Sequence, residues 1–421
     1  MTGTTYDTDA ARRTALALTL ALAAGFSVWS FFILNLTGVD LLPLWLAAKF
    51  WAMGQPEMIY TIEGGAFTLS TPEAWRALAT AEGVGAVDIN PFIYAPIWAV
   101  LLAPLTEVMS FATFDAIVRI LNPAALAIVP FCVWRAAPIA PPALIIGTGF
   151  AMLALTTVGL LPIMGGQVQI VVALLLAIAM ERSRNGAPLA AGAALGLAAA
   201  LKLYPALFVL LFLATRQNRA ILSFALVGGG FGLASLAFAG WPLHAELLRE
   251  LSVISSSVIE INLSTNLDAL IVVALALEMS DGIPGRAVLV KSEMWSALSR
   301  IALLGAITAL AIVGRRNPAI AQHPLYWPLA VITAAILGPL SWTFHYILPM
   351  AASALLLTLL PRAAALAVLL TVGALSSILT IALPFPSIGT TPPLQLWGSL
   401  AFLLLTFTFA ALVLTAKHHP Q

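Results

Sequence analysis

Charge is scarce in this sequence. Only 9% of its 421 residues are Asp, Glu, Lys or Arg, against 61% hydrophobic, and a chain that apolar cannot bury its surface in one water-soluble core. A net charge of +1 with no basic block argues against nucleic acid as a partner. The single cysteine, Cys132, lies in an apolar run and excludes an intrachain disulfide. A P-loop, a G-x-S-x-G elbow and a nucleotide-sugar domain are all missing, which argues against a soluble nucleotide-activated donor. His244, His323, His418 and His419 are scattered without metal-ligand spacing, so neither a cofactor nor a metal is expected. Low-complexity tracts and clear internal repeats are also missing. The first apolar stretch, about 23 residues after Arg12-Arg13, lacks a cleavage site and reads as an uncleaved first span.

What is present is an all-α polytopic membrane protein. Apolar segments fall at about 14–36, 92–106, 111–134, 139–161, 166–181, 187–201, 206–215, 219–240, 297–314, 325–338, 346–360, 363–383 and 394–415. Thirteen of the 18 acidic residues lie in two long loops, about 37–91 and 241–296, whereas Arg12-Arg13, Arg182/Arg184, Arg216/Arg219, Arg315-Arg316 and Arg362 mark short ones. The positive-inside rule makes the arginine loops and both termini cytoplasmic and puts the acidic loops outside. An even number of crossings follows. The segment 92–106, short and bounded or interrupted by Pro91, Pro96 and Pro104, is set aside, leaving about twelve; a split of 111–134 at Asn122-Pro123 would satisfy parity equally. In the first loop, Pro43–Met53 suits a helix lying in the interface, with a lone Lys49. Thr71-Pro72-Glu73 reads as a helix start, with Thr71 as the cap, running to about Gly83. The short piece 206–215 after Pro205 suits a re-entrant break, and 267–278 is expected to fold back.

Polar residues beside these breaks are the candidates for chemistry. Asp40 follows the first span and serves equally as a catalyst, a solvated loop charge or a helix cap. Tyr94, in Phe92-Ile-Tyr-Ala-Pro96, is by itself an interfacial aromatic anchor. Gln167 follows Gly165-Gly166 at a helix start, where amides bind a sugar or phosphate or simply cap. Lys202 is more informative: a lysine near the bilayer centre costs roughly 2.5–3.5 kcal/mol on insertion scales, and this one falls at the outer end, against the positive-inside trend. Asn262 and Ser264 are ligand contacts or caps, and Trp342 and His345 stand in a loop on the same outer side.

The ordered set Gly38-Val-Asp40, Trp45-Leu-Ala-Ala48, Gly54-Gln-Pro56, Phe92-x-Tyr94-x-Pro96, Gly166-Gln167, Gly196-Leu-Ala-Ala-Ala-Leu-Lys202-Leu-Tyr-Pro205, Asn262-x-Ser264 and Ser341-Trp342-x-x-His345 resembles glycosyltransferase family 87. The family includes polyprenyl-phosphate-mannose-dependent mannosyltransferases and related arabinofuranosyltransferases. The resemblance implies a GT-C fold forming a single domain over the whole chain in the plasma membrane, with the active site outside. It also implies a polyprenyl-phosphate sugar donor, a glycolipid or glycan acceptor, and transfer with inversion, most readily of mannose. In that reading Asp40 and His345 are catalytic. Lys202, Gln167 and Tyr94 bind the donor phosphate, and Asn262, Ser264 and Trp342 bind sugar or acceptor. The sequence departs from the family pattern at Leu41 after the acid and at Ala95 before Pro96. A pentosyl transferase of the same fold is the nearest alternative. A transporter or lipid flippase, also rich in spans and broken helices, is the alternative of another class.

Overall fold

A computed structural model describes residues 6–34, 37–60, 71–85, 89–260, 264–275, 287–377, 379 and 393–416. The chain is built almost wholly of helices. α1 (Asp9–Ile33) is started by Thr8, whose hydroxyl accepts from Ala11 N–H. Its 25 residues extend about 37 Å, enough for a hydrocarbon core of roughly 30 Å. The first loop folds into α2 (Leu42–Ala52), a 3₁₀ turn and α3 (Glu73–Ala81). α2 packs on α4 (Ile97–Val108) and buries Trp45 and Phe50, while Lys49 is paired with Glu82 at 3.0 Å. α3 begins one residue later than the capping pattern suggests: Pro72 is the N-cap residue, and the Thr71 hydroxyl accepts from Ile89 N–H instead.

α5 (Phe111–Ala136) continues through Pro123 and Pro130, so 111–134 is not split. The segment 139–161 is two helices, α6 (Pro142–Ala154) and α7 (Thr157–Met164), because Thr156 leaves the helix to form a bridge with Ser377. α8 (Gln169–Arg184) and α9 (Pro188–Leu201) follow, then a 3₁₀ turn and α10 (Val209–Ala214). α11 (Asn218–Ser255) is far longer than its apolar stretch and bends at Gly240, whose φ of 74° suits glycine. α9 and α11 lie in close contact along Gly192 and Gly196; a Cβ at Gly192 would collide with the Ala220 carbonyl.

The second loop contains strand β1 (Ser257–Glu260), α12 (Leu267–Ala274) and strand β2 (Ala287–Val290). The strands form an antiparallel pair with Val258 opposite Leu289. α12 has eight residues, too few to cross a bilayer, and the expected fold-back of 267–278 runs on past residue 275, outside the described residues. The remainder comprises α13 (Glu293–Arg316), α14 (Pro318–Ala321), α15 (Tyr326–Leu337), the fragments α16 (Ile347–Ala352) and α17 (Leu356–Leu359), α18 (Arg362–Leu375) and α19 (Pro393–Leu414).

Among the described residues, five helices are long and apolar enough to cross a membrane: α1, α5, α11, α13 and α19. Exposed Leu20, Phe32, Leu226, Leu233, Leu298 and Ile301 on α1, α11 and α13 form the outward apolar surface that lipid requires. One large core joins α5, α6, α8, α9, α15 and α16. A second, around Trp45, Trp75, Phe92 and Tyr94, sits under the first loop and carries one wall of the candidate site.

Candidate active site

Asp40 occupies the turn between α1 and α2, and several contacts hold it there. Its backbone N–H donates to the Gly165 carbonyl at 2.9 Å, and its carboxylate accepts from the Asn90 amide at 2.6 Å. The second carboxylate oxygen lies so close over Gly165 that a Cβ there would collide with it. The Gly38 N–H donates to Asp115 at 3.2 Å, and Asp115 is in turn paired with Arg119 at 3.2 Å. A Cβ on Gly38 would lie 2.6 Å from the Asp115 carboxylate, and Gly166 takes a φ of 68°. Two glycine-bearing turns therefore dock backbone to backbone, and only glycine permits that approach.

Lys202 lies where α9 ends. Leu201 is the last helical residue, Lys202 is extended at φ −142° and ψ 137°, and Pro205 is the second residue of the 3₁₀ turn, Tyr204–Phe208, that follows. The Trp98 indole fixes the break by donating to the Ala200 carbonyl at 2.7 Å. The ammonium sits 5.9 Å from the Tyr94 ring and 5.7 Å from the Phe344 ring, within range of two π faces. Burial pulls this ammonium down to about 8, while the negative charge of Asp40 works to hold it up. The Tyr94 phenol is pushed up by burial and, to a lesser degree, by Asp40. Asp40, Tyr94 and Lys202 thus share one electrostatic neighbourhood.

His345 stands in a 3₁₀ turn, Thr343–Tyr346, with its Nδ1 3.0 Å from the Trp342 N–H. The same Nδ1 lies 3.2 Å from the Trp342 carbonyl, so the two backbone groups of Trp342 hold this edge of the ring and the tautomer sets whether Nδ1 accepts or donates. Its ring meets Tyr204 edge-on at 5.6 Å, and the Tyr204 hydroxyl accepts from the Gln169 amide at 2.6 Å.

A cavity of about 190 Å³ opens beside these groups. Leu247, Leu251 and Leu303 give it an apolar wall, and Lys202, Trp342 and His345 supply polar groups. A long apolar ligand with an anionic head fits such a lining.

The structure brings together most of the residues singled out from sequence. Lys202, Trp342 and His345 line the cavity, Tyr94 packs against Lys202, and Asp40 acts on both through its charge. Gln167 is buried next to the turn that carries Asp40, and its side-chain oxygen has no hydrogen-bond partner among the described residues. The Ser264 hydroxyl is committed to the Ile259 carbonyl at 2.7 Å, while its backbone bridges Trp342. Asn262 lies outside the described residues. Three residues escaped the sequence reading: Asn90 on the Asp40 carboxylate, Gln169 on Tyr204, and Asn266. The Asn266 amide donates to the Gly338 and Pro339 carbonyls at 2.9 Å each and so ties the second loop to the Trp342–His345 segment. Asn90 stands two residues before Phe92 in the Tyr94 motif, and Asn266 ends the Asn262–Asn266 stretch, so proximity to those motifs was the available signal.

The family model for glycosyltransferase family 87 matches residues 92–335, more than half of the chain, including Tyr94, Gln167 and Lys202. A polyprenol-phosphate-mannose-dependent alpha-(1-2)-phosphatidylinositol mannoside mannosyltransferase of Mycobacterium tuberculosis is 28% identical over 361 residues, covering 79% of this chain and 73% of that protein. The chain is an integral membrane glycosyltransferase and belongs to glycosyltransferase family 87.

Proposed function

We propose that this enzyme transfers mannose from a polyprenyl-phosphate donor to a hydroxyl of a lipid-linked or glycan acceptor, with inversion and with Asp40 as the general base. The observation that carries the reading is a carboxylate fixed by Asn90 and Gly165 in the electrostatic reach of a half-buried lysine that lines an apolar cavity. The name of the mycobacterial relative, which specifies a polyprenol-phosphate-mannose donor and a phosphatidylinositol mannoside acceptor, supports both substrate classes.

In this reading the prenyl chain follows the wall of Leu247, Leu251 and Leu303, and its phosphate meets Lys202 and His345, whose Nε2–H tautomer the reading requires. Asp40 takes the proton of the acceptor hydroxyl as that oxygen attacks the anomeric carbon. The bond from that carbon to the phosphate oxygen breaks, and the electron pair leaves with polyprenyl phosphate, its charge met by Lys202. A phosphate needs no general acid to depart, so one carboxylate suffices where glycoside hydrolysis uses two. A β-linked donor then gives an α-linked product. Tyr94 positions Lys202 through its ring face, Gln167 offers an unpartnered amide oxygen to a sugar hydroxyl, and Ser264 positions Trp342. Asn262 belongs with Ser264 on the acceptor side.

The reading places the site on the extracytoplasmic face of the plasma membrane, in a GT-C fold of about twelve crossings with both termini inside. It requires no metal. Purified protein supplied with polyprenyl phosphates bearing mannose, arabinose or glucose tests it: an α-mannosylated product formed in the presence of a chelator is expected. Preferential transfer of another sugar replaces mannose in the assignment, and failure to transfer any of them to glycolipid acceptors overturns it.

A further inference from the structure

The end of the molecule remote from Asp40 holds a second cleft, of about 740 Å³. α8 runs from Gln169, beside Tyr204, to Arg184 at this cleft, and its 16 residues separate the two sites by about 24 Å. Three arginines from separate elements line the cleft: Arg184 in the last turn of α8, Arg216 just beyond α10, and Arg315 in the last turn of α13. Among the described residues, no aspartate or glutamate lines the cleft. The acid nearest in sequence, Glu181, is committed to Arg182, to Arg135 at 3.4 Å and to Asn185 at 2.7 Å.

Helix capping explains part of this cluster. Arg184 donates to the Ala136 and Gln322 carbonyls at 2.6 and 2.7 Å, and Arg315 donates to the Leu213 carbonyl at 2.9 Å. Each guanidinium has five N–H groups, so donors remain on both. Arg216 has no such explanation, because its side chain makes no hydrogen bond or ion pair among the described residues. Its φ of 56° is in the left-handed region where a helix exit ordinarily takes glycine or asparagine; among the described residues it is the one non-glycine there. A cation thus stands at a position whose backbone disfavours it, facing two other cations across a cleft that no described acid lines.

We infer that this cleft binds a phosphate group, carried on an anionic lipid headgroup or free in solution, with Arg216 and Arg315 as its charged ligands. The guanidinium fork matches phosphate oxygens in pairs, and a bound dianion or monoanion relieves the mutual repulsion of the three arginines. The site is distinct from the donor-phosphate position at Lys202 and does not depend on the reading of that position.

The experiment uses the full-length protein in neutral detergent, with short-chain phosphatidylglycerol and inorganic phosphate as probes and native mass spectrometry as the readout. Arg216→Gln and Arg315→Gln are each expected to weaken phosphatidylglycerol binding about fivefold. Arg316→Gln removes an equal charge outside the cleft and is expected to leave binding within about twofold. Arg216→Gly frees the strained backbone, so it folds at least as well as wild type, and it loses binding as Arg216→Gln does. Inorganic phosphate that displaces the lipid, or binds alone and is lost in the same variants, identifies free phosphate as the ligand. Lipid binding that phosphate does not displace identifies a headgroup. Failure of the wild type to bind either probe, undiminished binding by both Arg216 variants, or an equal loss in Arg316→Gln overturns the inference.

Discussion

Asn90 touches Asp40 and nothing is asked of it beyond that contact, which makes Asn90→Leu an informative perturbation. The amide donates to the carboxylate at 2.6 Å, and leucine fills a similar volume without a donor. A hydrogen bond to a charged group contributes about 1.5–3 kcal/mol. If that stabilisation is what holds Asp40 in its productive orientation, its loss lowers kcat by roughly 10- to 150-fold. Asn90 is not among the residues lining the cavity, so the donor KM should stay within about twofold, the signature of an interaction expressed in the transition state. The assay is steady-state transfer from labelled polyprenyl-phosphate mannose by purified enzyme, with size-exclusion and thermal unfolding confirming an intact fold. An unchanged kcat in a folded variant, or a loss confined to donor KM, would refute the assignment of Asn90 as the residue that positions the base.

Three further outcomes are expected. Burial draws Lys202 down to about 8 against the opposing charge of Asp40, so kcat/KM should be full below that pH and fall as pH rises through it and the cation is lost; Lys202→Arg should keep its plateau, and a flat wild-type profile to about pH 9.5 counts against the phosphate role. Gly165→Ala drives a methyl into the Asp40 carboxylate, and a displacement of that kind can cost about 100-fold in rate; wild-type turnover would show that the Asp40 turn tolerates movement. Lys291 is fully buried against Asp268 at 2.7 Å, and Asp268 also accepts from Trp295 and Ser299 at 2.9 Å each; Lys291→Met strands that carboxylate and should destabilise the second loop by ~3–5 kcal/mol, measured by thermal unfolding in detergent, with an unchanged transition refuting it.

The helical architecture was legible because apolar runs in a membrane protein have few alternatives. Errors arose where distant backbone groups intervene. The run 139–161 gives no local sign of a break, yet Thr156 pairs with Ser377 and Thr157 donates to the Ser376 carbonyl at 2.8 Å. Trp241-Pro242 read as the start of a loop, but proline is tolerated in the first turn of the new helix segment after the Gly240 bend, so α11 continues. Lys49 looked alone because Glu82, its partner, lies across a fold of the first loop. In the site, Asp40, Lys202 and His345 stood out as polar groups at helix ends in apolar surroundings. Asn90 and Gln169 did not: an asparagine in a polar loop is ordinary, and Gln169 is distinguished from Gln167 only by the Tyr204 hydroxyl it meets. Ser264 was legible as important, but its role as an anchor for Trp342 required the bridge to be seen.

Asp40→Asn tests the assignment of the base most directly. The substitution preserves size and leaves the turn anchored by the backbone bond to Gly165, while removing the group that accepts the proton. Transfer from polyprenyl-phosphate mannose should fall by about 10²–10⁴-fold, with donor binding and membrane insertion retained. Turnover within a few-fold of wild type would remove Asp40 from the chemistry.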